Sequence, residues 1–272
     1  MAHKSASLGQ AAGNYQVQIT ARQDTMPEPN KSPRFERIVL KLSGESLMGK
    51  RSGGIDPPTL KDMASEIQSA HRLGVKMGIV IGGGNIFRGI RSSEYTIGRV
   101  TADYMGMLAT VINALALSEV LNAAGTPATA MSALSIDRAI EPYNREKALT
   151  RLDQGGIVIF AGGTGNPFFT TDTAASLRAM EINAQAILKA TQVDGVYDRD
   201  PALGPGAELY STISYNQFLQ DRLKVIDLTA ISMAMEQQIP IIVFNVGKRG
   251  NIAKIISGQT VGTTIAGAGD ER

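Results

Sequence analysis

Lys41 and Asp172 stand out because each flanks a glycine-bearing exit from an apolar run. Lys41 lies near the end of Arg37–Leu42 (RIVLKL), just before Ser43-Gly44. Asp172 closes Asn166-Pro167-Phe168-Phe169-Thr170-Thr171-Asp172, which follows Gly162-Gly163-Thr164-Gly165. A third apolar run, Val75–Ile81, opens into Gly82-Gly83-Gly84, with Arg88 shortly beyond and Asp103 on the next segment. Glycine lets backbone N–H groups approach an anion closely, and arginine can grip a phosphate as a bidentate fork. Either glycine-rich loop alone could be an ordinary strand-to-helix turn, and any one of these charges could be a solvated surface group. Two such loops at strand ends of one sheet fit a crevice for two phosphorylated ligands.

Composition removes the main competing chemistries. The 272 residues include no cysteine, and His3 and His71 are the only imidazoles. That excludes a disulfide scaffold, Cys-ligated zinc or iron–sulfur sites and thiol catalysis, and it disfavours triads and His-ligated metals. His71 falls near a helix end, where it faces water or supports the dipole, and receives no catalytic role. Lys50, Arg51 and Arg91 read as surface charges, and Met105-Gly106-Met107 as helix core. The net charge of +2 comes from 27 basic and 25 acidic side chains. The excess sits in residues 1–34, and no cluster of Lys and Arg marks a nucleic-acid face. No run of about 18 apolar residues predicts a membrane span, and no apolar stretch marks a secretory leader, so the expectation is a cytoplasmic protein.

Two named motifs come close and fail. Gly44-Glu45-Ser46-Leu47-Met48-Gly49-Lys50 matches G-x-x-x-x-G-K, but Arg51 stands where a P-loop needs a hydroxyl for magnesium. The dinucleotide fingerprint fails because Phe87, counted from Gly82, and Phe168, counted from Gly163, occupy the last glycine position.

The elements that must carry these residues follow from periodicity. Strands are expected at Arg37–Leu42, Val75–Ile81, Gly156–Ala161, Ala186–Ala190 and Ile241–Phe244. Helical spacing covers Leu60–Leu73, with Pro57 and Pro58 at its start and Gly74 at its end. Further helices are expected over Arg99–Asn122, Ala174–Ile182 and Thr229–Gln238. Continuously apolar strands are buried on both faces. Alternating with helices, they predict a doubly wound α/β sandwich of three layers around a mainly parallel sheet. Residues 1–33, with Pro27, Pro29 and Pro33, read as a flexible tail, and 34–272 as a single domain.

Six segments together resemble the bacterial uridylate kinases of the amino acid kinase superfamily. They are Lys41–Glu45 (KLSGE), Val80–Gly89 (VIGGGNIFRG), Asp103–Thr110 (DYMGMLAT), Gly163–Asp172 (GTGNPFFTTD), Lys189–Thr191 (KAT) and Val193–Tyr197 (VDGVY). The resemblance implies transfer of the γ-phosphoryl group of ATP to UMP. It implies that Lys41, Ser43 and Gly44 meet the transferred group, with Leu42, Gly84 and Arg88 also on the ATP side. Gly83, Gly84, Arg88, Thr164, Gly165, Asn166, Pro167, Phe168, Phe169, Thr170 and Thr171 would hold UMP, with Asp103 near its ribose. Thr191, Tyr197 and Asp200 would line the ATP nucleoside site. Asp172 would organise the catalytic Lys41, with Arg88 as a third catalytic group. Mg²⁺ would be bound mainly through the ATP phosphates, with Asp227 as its neighbour and no dedicated protein cage.

The same resemblance implies a homohexamer, with GTP as activator and UTP as inhibitor. A kinase of the same fold acting on a carboxylate such as acetylglutamate remains an alternative, as does a nucleotide-sensing protein without turnover. Phe168–Asp172 and Asp103 favour a nucleotide acceptor over the former. Lys41 with Asp172 favours catalysis over the latter.

Overall fold

The computed structural model describes residues 32–87, 96–201 and 206–267. Arg88, Arg91 and nearly all of the expected tail lie outside the described residues. Among the described residues, nine strands form one sheet: β1 (Arg37–Leu42), β2 (Lys76–Ile81), β3 (Ala128–Ser132), β4 (Glu141–Pro142), β5 (Ile157–Ala161), β6 (Ala186–Thr191), β7 (Thr212–Ser214), β8 (Ile241–Asn245) and β9 (Thr263–Ala266). Their order is β4-β3-β5-β2-β1-β6-β8-β9-β7. Every neighbouring pair is parallel except β8 with β9. The chain builds outward from β1 through β2 first, then crosses to β6 on its other side. The strand order therefore reverses at β1, and Lys41 sits at the carboxyl end of that strand, where such sheets hold ligands.

Helices cover both faces. On one side lie α1 (Pro57–His71), α2 (Arg99–Ala123) and α7 (Asn251–Ile256), and on the other α3 (Arg145–Asp153), α4 (Thr171–Glu181), α5 (Tyr215–Gln220) and α6 (Leu228–Glu236). Alternation along β1 sorts Ile38, Leu40 and Leu42 into the first core and Val39 into the second. Lys41 shares its face with Val39 and so points toward the α4 layer. On β6, Ile187 packs in that same second core, which places Lys189 on the same side.

The expected three-layer sandwich is present, with differences that have local causes. α4 begins at Thr171 rather than Ala174, because the Thr170 hydroxyl caps it by accepting the Asp172 N–H at 3.0 Å. Asp172 is therefore in a first helical turn and not in a loop. Strands β3, β4, β7 and β9 and helices α3, α5 and α7 go beyond the expected elements. β3 (ATAMS) and β9 (TTIA) lack the continuous apolar run that marks the similarly short β5 (IVIFA) and β8 (IIVFN). No unbroken apolar run of 18 residues occurs, but among the described residues α2 is long and apolar enough on average to cross a membrane, its 18-residue window having a mean hydropathy of 1.5. Half of that window is buried, with Leu117 and Leu121 in the first core, as in the core helix of a soluble domain.

Candidate functional site

Two strand ends and the start of a helix converge on one carboxylate. In the β1–β6 pairing, Lys41 is the direct partner of Lys189, so two ammonium groups leave neighbouring strands on the same face. The first turn of α4 places Asp172 between them. Lys41 Nζ lies 2.7 Å from Asp172 Oδ1, and Lys189 Nζ donates to Asp172 Oδ2. All three side chains are nearly buried. Burial by itself would raise the Asp172 carboxyl, but Lys41 and Lys189 outweigh it and hold it below the usual carboxylate range. Lys189 is pushed down to about 8 by burial and by the Lys41 charge, against the pull of Asp172 and Asp227. Lys41 meets Oδ1 as a close ion pair, and because an ammonium carries three N–H bonds, not all of them are spent on the carboxylate. An anion in front of β1 could take the rest.

The glycines beside Lys41 are required by close approach. A Cβ on Gly44 would stand 2.4 Å from Asn85 Oδ1 and 2.8 Å from both the Gly82 carbonyl and the Gly84 nitrogen. A Cβ on Gly83 would meet the Gly106 carbonyl at 2.7 Å and Ala109 Cβ at 2.8 Å on α2. The loops after β1 and β2 thus press backbone to backbone, and the second also rests on α2. A buried amide pair pins them: Asn85 and Asn113 donate to each other's oxygens at 3.0 and 2.7 Å. Asn113 also donates to the Gly82 carbonyl at 2.8 Å, and Asn85 to the Gly54 carbonyl at 2.9 Å. Ser43 caps the short turn Gly44–Leu47. Leu42 is fully buried, so only its backbone can serve a ligand.

On the β2–β5 side, a cavity of about 160 Å³ is lined in part by Gly83, Asp103, Gly106, Thr164, Asn166, Phe169, Thr170 and Thr171. Its floor is fixed by Thr110, whose hydroxyl accepts the Gly162 N–H at 2.7 Å and donates to the Met107 carbonyl at 2.6 Å. Asp103 accepts the Phe168 N–H at 2.8 Å and both oxygens take Arg99 Nε at 2.8 Å. Phe168 has a φ of 72°, a left-handed backbone uncommon for a residue with a side chain, and the Arg99 guanidinium lies 5.7 Å from its ring centroid. Asp103 therefore holds the Gly163–Thr171 loop in place as well as facing the cavity. Gly165, Pro167 and Phe168 belong to this loop but not to the cavity wall.

On the β6–β8 side, a second cavity of about 460 Å³ is lined by residues that include Val193, Gly195, Tyr197, Asp200, Leu223 and Val225. Thr191 stands at its root, donating to the Val193 and Phe244 carbonyls at 2.7 and 3.1 Å. Asp227 caps α6 by accepting the Ala230 N–H at 2.8 Å. It also accepts hydroxyl bonds from Thr170 and, at 3.0 Å, from Thr173, so it clamps α6 to the start of α4. His71 is half-buried at the end of α1, and burial pushes its imidazole below the usual value. It is therefore not a cationic support for the dipole, as the sequence left open.

Sequence reasoning missed Lys189, Arg99, Asn113 and Thr110 as site residues. Only Lys189 carried a readable signal, a charge inside the otherwise apolar strand AILKAT.

The amino acid kinase family matches residues 36–245. Among solved structures, the chain is similar to a UMP kinase from Bacillus anthracis, with 40% identity and a TM-score of 0.83, over 85% of this chain and 96% of that one. It is similar to a UMP kinase from Ureaplasma parvum at 36% identity and a TM-score of 0.81, over 86% and 99%. A uridylate kinase from Archaeoglobus fulgidus matches at 29% identity and 0.66, over 84% and 99%.

Proposed function

This chain belongs to the amino acid kinase family, among its UMP kinases, and on that premise we propose that it transfers the γ-phosphoryl group of ATP to UMP, giving ADP and UDP for pyrimidine nucleotide synthesis. The observation that carries the reading is Lys41, buried against Asp172 at the strand end between two cavities. UMP occupies the cavity walled by Gly83, Asp103, Thr164, Asn166 and Phe169–Thr171, with Gly165, Pro167 and Phe168 shaping the loop behind it, and the ATP nucleoside that of Tyr197 and Asp200. Arg88 grips the phosphates from the segment after Phe87. A UMP phosphate oxygen, already ionised near neutral pH, attacks the γ-phosphorus as the bond to the β–γ bridging oxygen breaks and ADP leaves. Nothing needs to remove a proton, and Asp172, held ionised by two lysines, is no general base. The burden is charge: the equatorial oxygens of the transferring group need preorganised donors, which Lys41 and the Gly44 and Gly83–Gly84 backbone supply.

Among the described residues no three His, Asp or Glu side chains form a metal cage. Asp172 is engaged by two lysines, which fits a magnesium ion that arrives on ATP with Asp227 as the nearby hard-oxygen neighbour. Such an ion would neutralise charge on the β- and γ-phosphates.

We take residues 34–272 as one cytoplasmic catalytic domain that works as a homo-oligomer. Val100, Tyr104, Leu108, Ile112 and Leu115 form a stripe on α2, each between 39% and 51% exposed. No charged residue falls between Tyr104 and Ser118. The stripe runs about 22 Å along the helix, and an uncharged stripe can pair with its own copy about a two-fold axis. Because α2 also carries Asp103 and Gly106, such pairing would brace the UMP cavity. GTP activation and UTP inhibition rest on the family resemblance alone, and activity measured with each nucleotide tests them.

The decisive experiment is a coupled ADP-release assay with UMP, CMP, dTMP and acetylglutamate. Turnover of UMP is expected. Turnover of acetylglutamate without UMP would overturn the assignment, although relatives at 36–40% identity do not favour it.

A further inference from the structure

We propose that Lys189 is a positioning residue for phosphoryl transfer, which restores the positive charge that Asp172 would otherwise cancel on Lys41. The proposal rests on the phosphotransfer reading above. Lys41 and Asp172 alone form a neutral pair, and a neutral pair attracts a phosphoryl group weakly. Asp172 is needed nonetheless, because its carboxylate fixes where the flexible Lys41 chain ends. Lys189 resolves that conflict. It comes from the strand beside β1 in direct register with Lys41, and it takes the second oxygen of the same carboxylate. The group of three then carries one net positive charge, and Lys41 presents it.

The rigidity of the arrangement has the same source. With Oδ1 against Lys41 and Oδ2 bonded to Lys189, the Asp172 carboxylate cannot rotate without breaking a contact. Beneath Lys41, Asp172 and Lys189, the mostly apolar Ala175, Ile187, Ile226, Ala230 and Ile241 close the space around the three side chains and offer few other polar partners to either ammonium. Lys189 is more deeply enclosed than a surface cation. Removing one partner of a buried ion pair is costly when it strands the other charge, but Asp172 keeps Lys41 if Lys189 is replaced, so no charge is left unpaired. A structural role for Lys189 would then show as lost stability, and a role in catalysis as lost turnover.

Lys189→Met separates the two, since methionine keeps much of the packing and loses the charge. Circular dichroism melting of this variant should resemble that of the wild type. Its kcat should fall about 10–100-fold, with the KM values for UMP and ATP little changed. The wild-type kcat should decline on the alkaline side above about pH 8, as Lys189 loses its proton, and that limb should be absent from the variant. Wild-type kcat in Lys189→Met, or the same alkaline limb persisting there, overturns the proposal. A second measurement needs no turnover: ¹³Cε NMR titration of the lysines in the full wild-type chain should show one lysine titrating near pH 8. That signal should vanish in Lys189→Met. Titration of every lysine at ordinary values would refute the coupling. Absence of UMP turnover by the wild type would count against the phosphotransfer reading, and the NMR titration would still decide the charge coupling.

Discussion

Replacing Asp172 with Asn keeps its shape and removes the charge that separates two buried ammonium groups. The amide oxygen can still accept from one lysine, but its NH₂ faces the other. Removing one partner of a buried pair costs about 3–5 kcal/mol when the remaining charge cannot escape. Here it can. Lys189 is already pushed down to about 8, so releasing its proton at pH 7 costs only on the order of 1 kcal/mol, and less once Asp172 no longer holds it. Adding the lost charge-assisted contacts, the variant should be about 2–3 kcal/mol less stable at pH 7. The sign of the pH dependence follows. Keeping Lys189 neutral becomes costlier by up to about 1.4 kcal/mol per pH unit as the solution is acidified, so the deficit should grow toward about 3–5 kcal/mol at pH 6 and shrink at pH 8.5. Urea unfolding of both proteins at those three pH values gives the numbers directly. The kcat should fall about 100-fold, because Lys41 loses the group that aims it. A stability deficit identical at all three pH values, or an unchanged kcat, would refute the account of the Lys41–Asp172–Lys189 group.

Other perturbations test separate parts of the site. Gly83→Ala forces a methyl group against the Gly106 carbonyl and Ala109 and should cost about 1–3 kcal/mol, raising the UMP KM more than it lowers kcat. Steady-state kinetics alongside thermal melts would show whether the loop really bears on α2. His71, whose imidazole burial keeps below its ordinary value, should make the fold lose stability as pH drops below about 6.5, where the unfolded chain takes up the proton first. His71→Gln should remove that part of the acid sensitivity in urea titrations and leave turnover alone. Leu108→Glu places a charge in the middle of the α2 stripe and should shift the protein to a smaller species in light scattering. An unchanged mass would show that this face is not where copies meet.

Much of this protein was legible in contiguous residues. Lys41-Leu42-Ser43-Gly44, the Gly82-Gly83-Gly84 turn and the Gly163–Asp172 run each lie within one strand exit, and short-range sterics decide what glycine and a nearby charge can do there. Long helices such as α1 and α2 were readable because periodicity accumulates over many turns, and β5 and β8 because they are unbroken apolar runs, whereas β3 and β9 mix Thr and Ser with small residues and carry no such mark. The antiparallel β8–β9 pair left no local trace either, since pairing direction depends on where a distant strand arrives. The same holds at the centre of the site. Lys189 became Lys41's neighbour only through the β1–β6 register, and the left-handed Phe168 is held by Asp103, which lies on α2. Asp227 likewise reaches Thr170 and Thr173 across the junction of α6 and α4. Residue types and local spacing determined which groups could bind and stabilise phosphate. Which of them share one carboxylate was decided by strand register and helix packing, because electrostatic coupling depends on separation in space and not along the chain.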